Sequence, residues 1–324
     1  MLFHPPKNPV ELKVMHLNES QKQHREDLVE ATQGKAALKL LKKGLAKKAK
    51  QALKAKNKSK NKTPSAQVFV LDFDGDMKAS AVKHLREEIS TLISTANKGD
   101  EVVIRLESPG GIVHGYGLAA AQLVRLRDAG LKLTVCVDKV AASGGYMMAC
   151  VADKIVAAPF AVVGSIGVVS QLPNFHKWLK NHDVDYEQFT AGDYKRTVTV
   201  FGENDDEDRA KYQQELEQTH ELFKHFVNRY RSMLDLDKVA TGEHWYGEDA
   251  LHLNLVDSLQ TSDSYILELM EDYEVYALHS RQKPTFAEKI GLAQAAEATL
   301  SIVVDKLPEA LARFDFNSRL NILK

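Results

Sequence analysis

Ala141-Ala142-Ser143-Gly144-Gly145-Tyr146-Met147-Met148-Ala149 comes shortly after the apolar run Leu131 to Val137. A strand that breaks off into Ala-Ala-Ser-Gly-Gly and passes into an Ala/Met-rich helix leaves Ser143 in the first turn of that helix. Free backbone N–H groups there favour a developing oxyanion. The small neighbours matter because a substrate carbonyl must come within about 3 Å of the serine oxygen. A helix N-cap serine beside two packing glycines has the same local sequence, so the segment alone does not separate nucleophile from cap.

Two further segments weigh on that choice. Upstream, the strand Glu101 to Glu107 runs into Ser108-Pro109-Gly110-Gly111, whose glycines permit a turn that presents N–H groups to a ligand. Downstream, Phe189-Thr190-Ala191-Gly192-Asp193-Tyr194-Lys195-Arg196 sets a lysine among small and aromatic residues, which makes Lys195 a candidate base.

From about Val68 to Val256 the chain resembles the signal peptide peptidase A group of serine peptidases. The resemblance rests on Ser-Pro-Gly-Gly, Ala-Ala-Ser-Gly-Gly-Tyr, Val163-Gly164-Ser165-Ile166-Gly167-Val168 and Gly192-Asp193-Tyr194-Lys195-Arg196, in that order. The stretch Glu107 to Gly117, with Ala149-Cys150-Val151-Ala152-Asp153-Lys154 and Gly242-Glu243-His244-Trp245-Tyr246-Gly247, is most similar to its SohB branch. The resemblance implies a Ser-Lys dyad of Ser143 as nucleophile and Lys195 as general base, with Ser165 holding the lysine. It further implies an oxyanion hole from Gly110 or Gly111 together with Gly144. No cofactor and no metal enter such a reaction, and the substrates are peptides: signal-peptide remnants or other membrane-associated or unfolded polypeptides.

The chemistry sets its own condition. An unperturbed lysine, with a pKa near 10.4, has only about one amine in a few thousand free at neutral pH, so a lysine base has to be desolvated. Tyr194, Ile166 and Val168 are the apolar partners available, and the Ser165 hydroxyl accepts a hydrogen bond without adding charge. Asp193 works against this if its carboxylate faces the amine. His114 is the competing base, through a triad of Ser143, His114 and Asp138 like that of the ClpP relatives, but those relatives carry the histidine after the nucleophile, where this chain has Ala, Cys and Val. A second competing motif is Val68-Phe-Val-Leu-Asp72-Phe-Asp74-Gly75, which looks like the nucleophile strand of haloacid dehalogenase phosphatases. Asp76 stands where Thr or Val is expected, and the later lysine and acidic pair are not placed.

The chain has 324 residues, 44% hydrophobic and 27% charged, the composition of a globular enzyme. Cys136 and Cys150 read as buried small hydrophobes. The net charge of −1 conceals a segregation: residues 1–65 carry net +11 and the remainder −12. Between Lys35 and Lys62 there are 12 lysines and no acids. Residues 1–65 are therefore expected to be a basic arm and linker, with a weakly amphipathic helix that ends near Pro64. The Lys35–Lys62 segment attracts anionic lipid or serves as a plain tether, and its lack of aromatics argues against specific nucleic-acid binding. No transmembrane helix or signal peptide is visible. In this the chain departs from the family, whose members begin with a membrane anchor; the resemblance implies association with the bacterial inner membrane and a periplasmic catalytic domain.

Strands are expected near 67–72, 101–107, 132–138, 154–157 and 184–190, and helices near 78–97, 115–129, 143–151 and 172–182. This alternation predicts an α/β fold with a mostly parallel, helix-covered sheet. The resemblance makes it a ClpP/crotonase-like spiral of strand-strand-helix units with helical N- and C-terminal extensions. Residues 66–280 form the peptidase domain and 281–324 an amphipathic helical tail. A long helix from about Asn204 to Met233 carries a packing stripe of Tyr212, Leu216, His220, Phe223 and Phe226. Homo-oligomerisation is expected from the family. Two other classes fit the same fold: an inactive peptidase-fold scaffold, and an acyl-CoA enzyme of the crotonase type.

Overall fold

The computed structural model describes residues 10–58, 66–192 and 194–282. The linker around Pro64, Asp193 and the tail beyond Gln282 lie outside the described residues. Two units divide the chain, one of Lys13–His279 and one of its two ends. In the smaller, Arg281 donates to the Glu11 carboxylate at 3.1 Å.

The first elements are β1 (Val10–His16), α1 (Leu17–Lys58), β2 (Gln67–Asp74), α2 (Val82–Thr95), β3 (Glu101–Glu107) and α3 (Val113–Asp128). Next come β4 (Lys132–Val137), β5 (Val140–Ala142), α4 (Gly144–Ala149), β6 (Lys154–Ala157) and β7 (Val162–Gly164). After these follow α5 (His176–Lys180), α6 (Asp206–Tyr230), α7 (Leu236–Val239), β8 (His244–Tyr246) and α8 (Gly247–His252). The last are β9 (Ser258–Leu259), α9 (Ser262–Asp272) and β10 (Glu274–Gln282).

Among the described residues, one sheet runs β1-β10-β2-β3-β4-β6-β9 and a smaller one β5-β7-β8. Pairing is parallel from β10 through β2, β3, β4 and β6 to β9, and between β5 and β7; β8 runs antiparallel to β7. The central strands are continuous apolar runs because both faces are covered. On one face Val68, Val70, Val103, Cys136 and Val156 pack with Tyr265 and Ile266 of α9. Their neighbours in the period-two alternation, Leu71, Val102, Ile104 and Val135, are buried as well. α2 and α3 bury Leu85, Ile89, Leu92, Ala119 and Leu123.

Two strands of the large sheet, β4 and β6, are each followed by a short one in the second sheet, and this rhythm makes the spiral. β4 leads to β5 and then α4, and β6 leads to β7. β3 leads to a single bridge, Ser108 to Ala141, and then α3. The architecture is the mixed α/β spiral of strand-strand-helix units expected from the sequence.

Two local readings differ from the structure. Residues 184–190 alternate like a strand, yet they form no strand and stay exposed; among the described residues no strand pairs with them. Residues 1–65, read as an arm, contribute β1 to the sheet, and Leu17 packs against the core. α1 is broken at Gly34, whose φ of 80° leaves the helical region, and across the break Lys42 pairs with the nearly buried Glu26 at 3.1 Å.

Candidate active site

β5 stops at Ala142 and α4 starts at Gly144, so Ser143 is the corner between them. Its φ of 52° and ψ of −118° belong to the first corner residue of a II′ turn, a region that favours glycine. The corner is held on both sides. The Ser143 N–H donates to the Gly164 carbonyl at 2.8 Å, and the Ser143 carbonyl accepts from Met147 N at 2.9 Å. Ser143 occupies the N-cap position of α4, but its side chain makes no capping hydrogen bond.

The Ser-Pro-Gly-Gly turn lies against this corner. Ala142 N donates to the Ser108 carbonyl at 3.0 Å, and Ser108 N to that of Val140 at 2.8 Å. Gly110 has φ 88°, and a Cβ there would sit 2.7 Å from Ser143 Cβ and 2.8 Å from Gly144 N. Gly144 is equally constrained, since a Cβ would come 2.3 Å from the Tyr116 ring. The Gly110 amide is not free: it donates to Ser108 Oγ at 3.1 Å. Among the described residues, the amides of Gly111 and Gly144 have no acceptor.

Ser165 follows β7 with φ 51°, and its N–H donates to the Glu243 carbonyl at 2.7 Å. Because Gly164 accepts from Ser143, Ser165 is one residue from the hydrogen-bond partner of Ser143. His220 of α6 donates through Nε2 to the Ile166 carbonyl at 3.0 Å, anchoring the same element. Of the expected α6 stripe, Phe223 is buried and Tyr212, Leu216, His220 and Phe226 are half-buried, with Val227 buried beside them.

Lys195 stands apart from the others. It lies in a turn closed by its N–H to the Gly192 carbonyl at 3.1 Å, and its side chain is exposed. Tyr194 lies under Lys211 Nζ at 4.6 Å from the ring centre. Among the described residues, Lys195 makes no hydrogen bond to Ser143 or Ser165, and the expected burial against Tyr194, Ile166 and Val168 is not seen. The segment that carries it displays large apolar side chains to solvent, Val169 at 81%, Trp178 at 57% and Phe189 at 89% exposure.

The competing motifs are occupied elsewhere. His114 is exposed on the first turn of α3. The Asp138 carboxylate accepts from Ser262 N at 2.7 Å and from its hydroxyl, so it serves the start of α9 and not a triad. Asp72 pairs with Arg105 at 2.6 Å. Asp76 accepts from Ser80 Oγ at 2.6 Å and from the amides of Ser80 and Lys78, bonds that hold its carboxyl below the usual range. Both cysteines are buried and unpaired; burial pushes the Cys136 thiol up to about 12 and raises that of Cys150 as well, which leaves neither as a thiolate nucleophile.

Comparison with known proteins adds three findings. The model of Peptidase family S49 matches residues 125–276, and that of the Peptidase family S49 N-terminal region matches 4–123. "Probable protease SohB" of Haemophilus influenzae is 60% identical over 238 residues, covering 74% of this chain and 67% of that protein. The protein of the same name in Buchnera aphidicola subsp. Acyrthosiphon pisum is 58% identical over 212 residues, covering 65% and 63%. The chain therefore spans about two thirds of the length of these relatives. Among solved structures, the 1510-N membrane-bound stomatin-specific protease in complex with a substrate peptide aligns with a TM-score of 0.44 at 13% identity, over 70% of this chain and 97% of that one.

Proposed function

The chain belongs to peptidase family S49, in its SohB branch, and on that premise we propose that it is a serine endopeptidase in which Ser143 attacks and Lys195 acts as base. One observation supports this most: a strained serine corner whose side chain makes no capping hydrogen bond, followed by the acceptor-free amide of Gly144 and packed against a turn that carries the acceptor-free amide of Gly111. Ser143 Oγ attacks the scissile carbonyl carbon while its proton passes to the Lys195 amine. The carbonyl oxygen becomes an oxyanion held by the Gly144 amide and by Gly110 or Gly111, of which we propose Gly111, because the Gly110 N–H already donates to Ser108 Oγ. Collapse breaks the C–N bond, and the proton on Lys195 goes to the leaving amine. Water then releases the acyl group by the same route. Ser165 orients the lysine.

The substrates we propose are unfolded or membrane-associated polypeptides such as signal-peptide remnants, with small or apolar residues beside the cut. The site is placed at the bacterial inner membrane on the periplasmic side, and the lysine-rich part of α1 contributes attraction to anionic lipid. No helix among the described residues is long and apolar enough to cross a membrane.

The exposed Lys195 gives this reading a structural requirement. A solvated ammonium is a poor base, and apolar side chains as exposed as Phe189 and Val169 lose their hydration only against another surface. A second copy of the chain supplies that surface, so we propose a homo-oligomer that covers this segment. Light scattering on the full chain should give a mass above that of one copy, and Phe189→Asp should lower both mass and activity. A fully active monomer refutes the requirement. The same exposed lysine favours the second reading, an inactive scaffold. A serine-reactive fluorophosphonate decides between them: it should label the wild type but neither Ser143→Ala nor Lys195→Ala.

A further inference from the structure

Behind the Ser-Pro-Gly-Gly turn lies a buried row of hydroxyls whose direction is fixed by its last member. The Tyr116 hydroxyl is 2.8 Å from the Asp76 carbonyl, which can only accept, so the phenol proton goes there. Ser108 Oγ, 2.6 Å from the same phenol oxygen, must then donate to it. That leaves Ser108 Oγ to accept from the Gly110 N–H at 3.1 Å. The chain runs one way: Gly110 N–H to Ser108 Oγ–H to Tyr116 Oη–H to Asp76 carbonyl. Tyr116 and Ser108 are fully buried, and burial raises the phenol's pKa, which keeps its proton in place. Bonds aligned in one direction in a low-dielectric interior reinforce one another.

The acceptor end is also anchored. The Asp76 side chain binds Ser80 and the Lys78 amide, and the Met77 carbonyl accepts the Ile112 N–H at 2.8 Å. Asp76 and Met77 thus grip the turn from both sides, Asp76 at Gly110 through the hydroxyl row and Met77 at Ile112 through its backbone carbonyl.

We infer that Tyr116 and Ser108 are positioning residues: by holding the Gly110 amide inward they fix the Pro109–Gly110 peptide plane, and with the Gly111–Ile112 plane held at the Met77 carbonyl the plane between them, which carries the free Gly111 N–H proposed as oxyanion donor, is set by two anchored neighbours. This rests on the Ser143 reading above and adds to it the device that orients one of the two donors.

The test compares Tyr116→Phe, which keeps the ring packed on Gly144, with Ser108→Ala and the double variant, on a fluorogenic peptide well below the melting temperature. Both singles should lower kcat about tenfold with KM within twofold, because a misaimed donor loses more contact with the oxyanion than with the ground-state carbonyl. The double should lose no more than the worse single, since either change breaks the same chain. Affinity for a peptide aldehyde, which forms the tetrahedral adduct, should fall in step with kcat, a coupling that a purely structural role does not produce. If Tyr116→Phe fails to fold, Ser108→Ala carries the same expectation. Ser143-dependent hydrolysis with kcat unchanged in the folded variants overturns the positioning role and leaves the peptidase reading standing. Hydrolysis that survives Ser143→Ala, or is absent from the wild type, overturns both.

Discussion

Ser143→Ala should lower kcat/KM for peptide hydrolysis by about 10⁴-fold or more while leaving the melting temperature within a few degrees of wild type. The first half follows from the role: with no nucleophile, only binding and the oxyanion donors remain, and in serine peptidases those leave a small residue of the rate. The second follows from the structure. What the fold takes from this residue is backbone, the N–H to Gly164 and the carbonyl to Met147, and alanine supplies both at the same strained corner. Kinetics on purified protein with a thermal melt alongside checks both halves. A variant that keeps more than about 1% of the activity removes Ser143 from the reaction.

Lys195→Arg should be nearly as damaging, by about 10³-fold, and it separates a base from a plain cation. Arginine keeps the charge and length but its guanidinium holds its proton at any accessible pH, so it cannot take one from serine. Lys195 is exposed and makes no side-chain hydrogen bond among the described residues, so the exchange should leave folding untouched. An active Lys195→Arg protein combined with an inactive His114→Ala would move the base to His114.

The central strands were legible because parallel strands buried on both faces must be apolar throughout and must end in turn residues: Glu101 to Glu107 followed by Ser-Pro-Gly-Gly says both. β1 was not, because its place in the sheet depends on β10 at the far end of the chain; the His16–Glu274 contact spans 258 residues and no local pattern announces it. Residues 184–190 were misread for the converse reason, since alternation reports a side-chain pattern and not the presence of a neighbour. At the site, the residues of the motifs could be named but not their bonds. Gly110 and Gly111 are equivalent as letters, and only the position of Ser108 Oγ tells which amide is spoken for. Tyr116 belongs to no catalytic motif, and the signal for it is an aromatic hydroxyl between Gly115 and Gly117, close behind a glycine turn.

The corner at Ser143 also bears on whether this is a working enzyme at all. A serine held at φ 52° occupies a backbone suited to glycine, at a strain of about 1–3 kcal/mol, partly offset by the greater freedom glycine has when unfolded. Ser143→Gly should therefore melt higher than the wild type, by roughly 1–3 °C, while being inactive. A protein kept only as a scaffold has no reason to hold the less stable residue at that point, whereas a hydrolase has no alternative. The melting point of a dead variant, read against that of the living one, is then a thermodynamic trace of selection for chemistry, and a Ser143→Gly protein that melts lower would erase it.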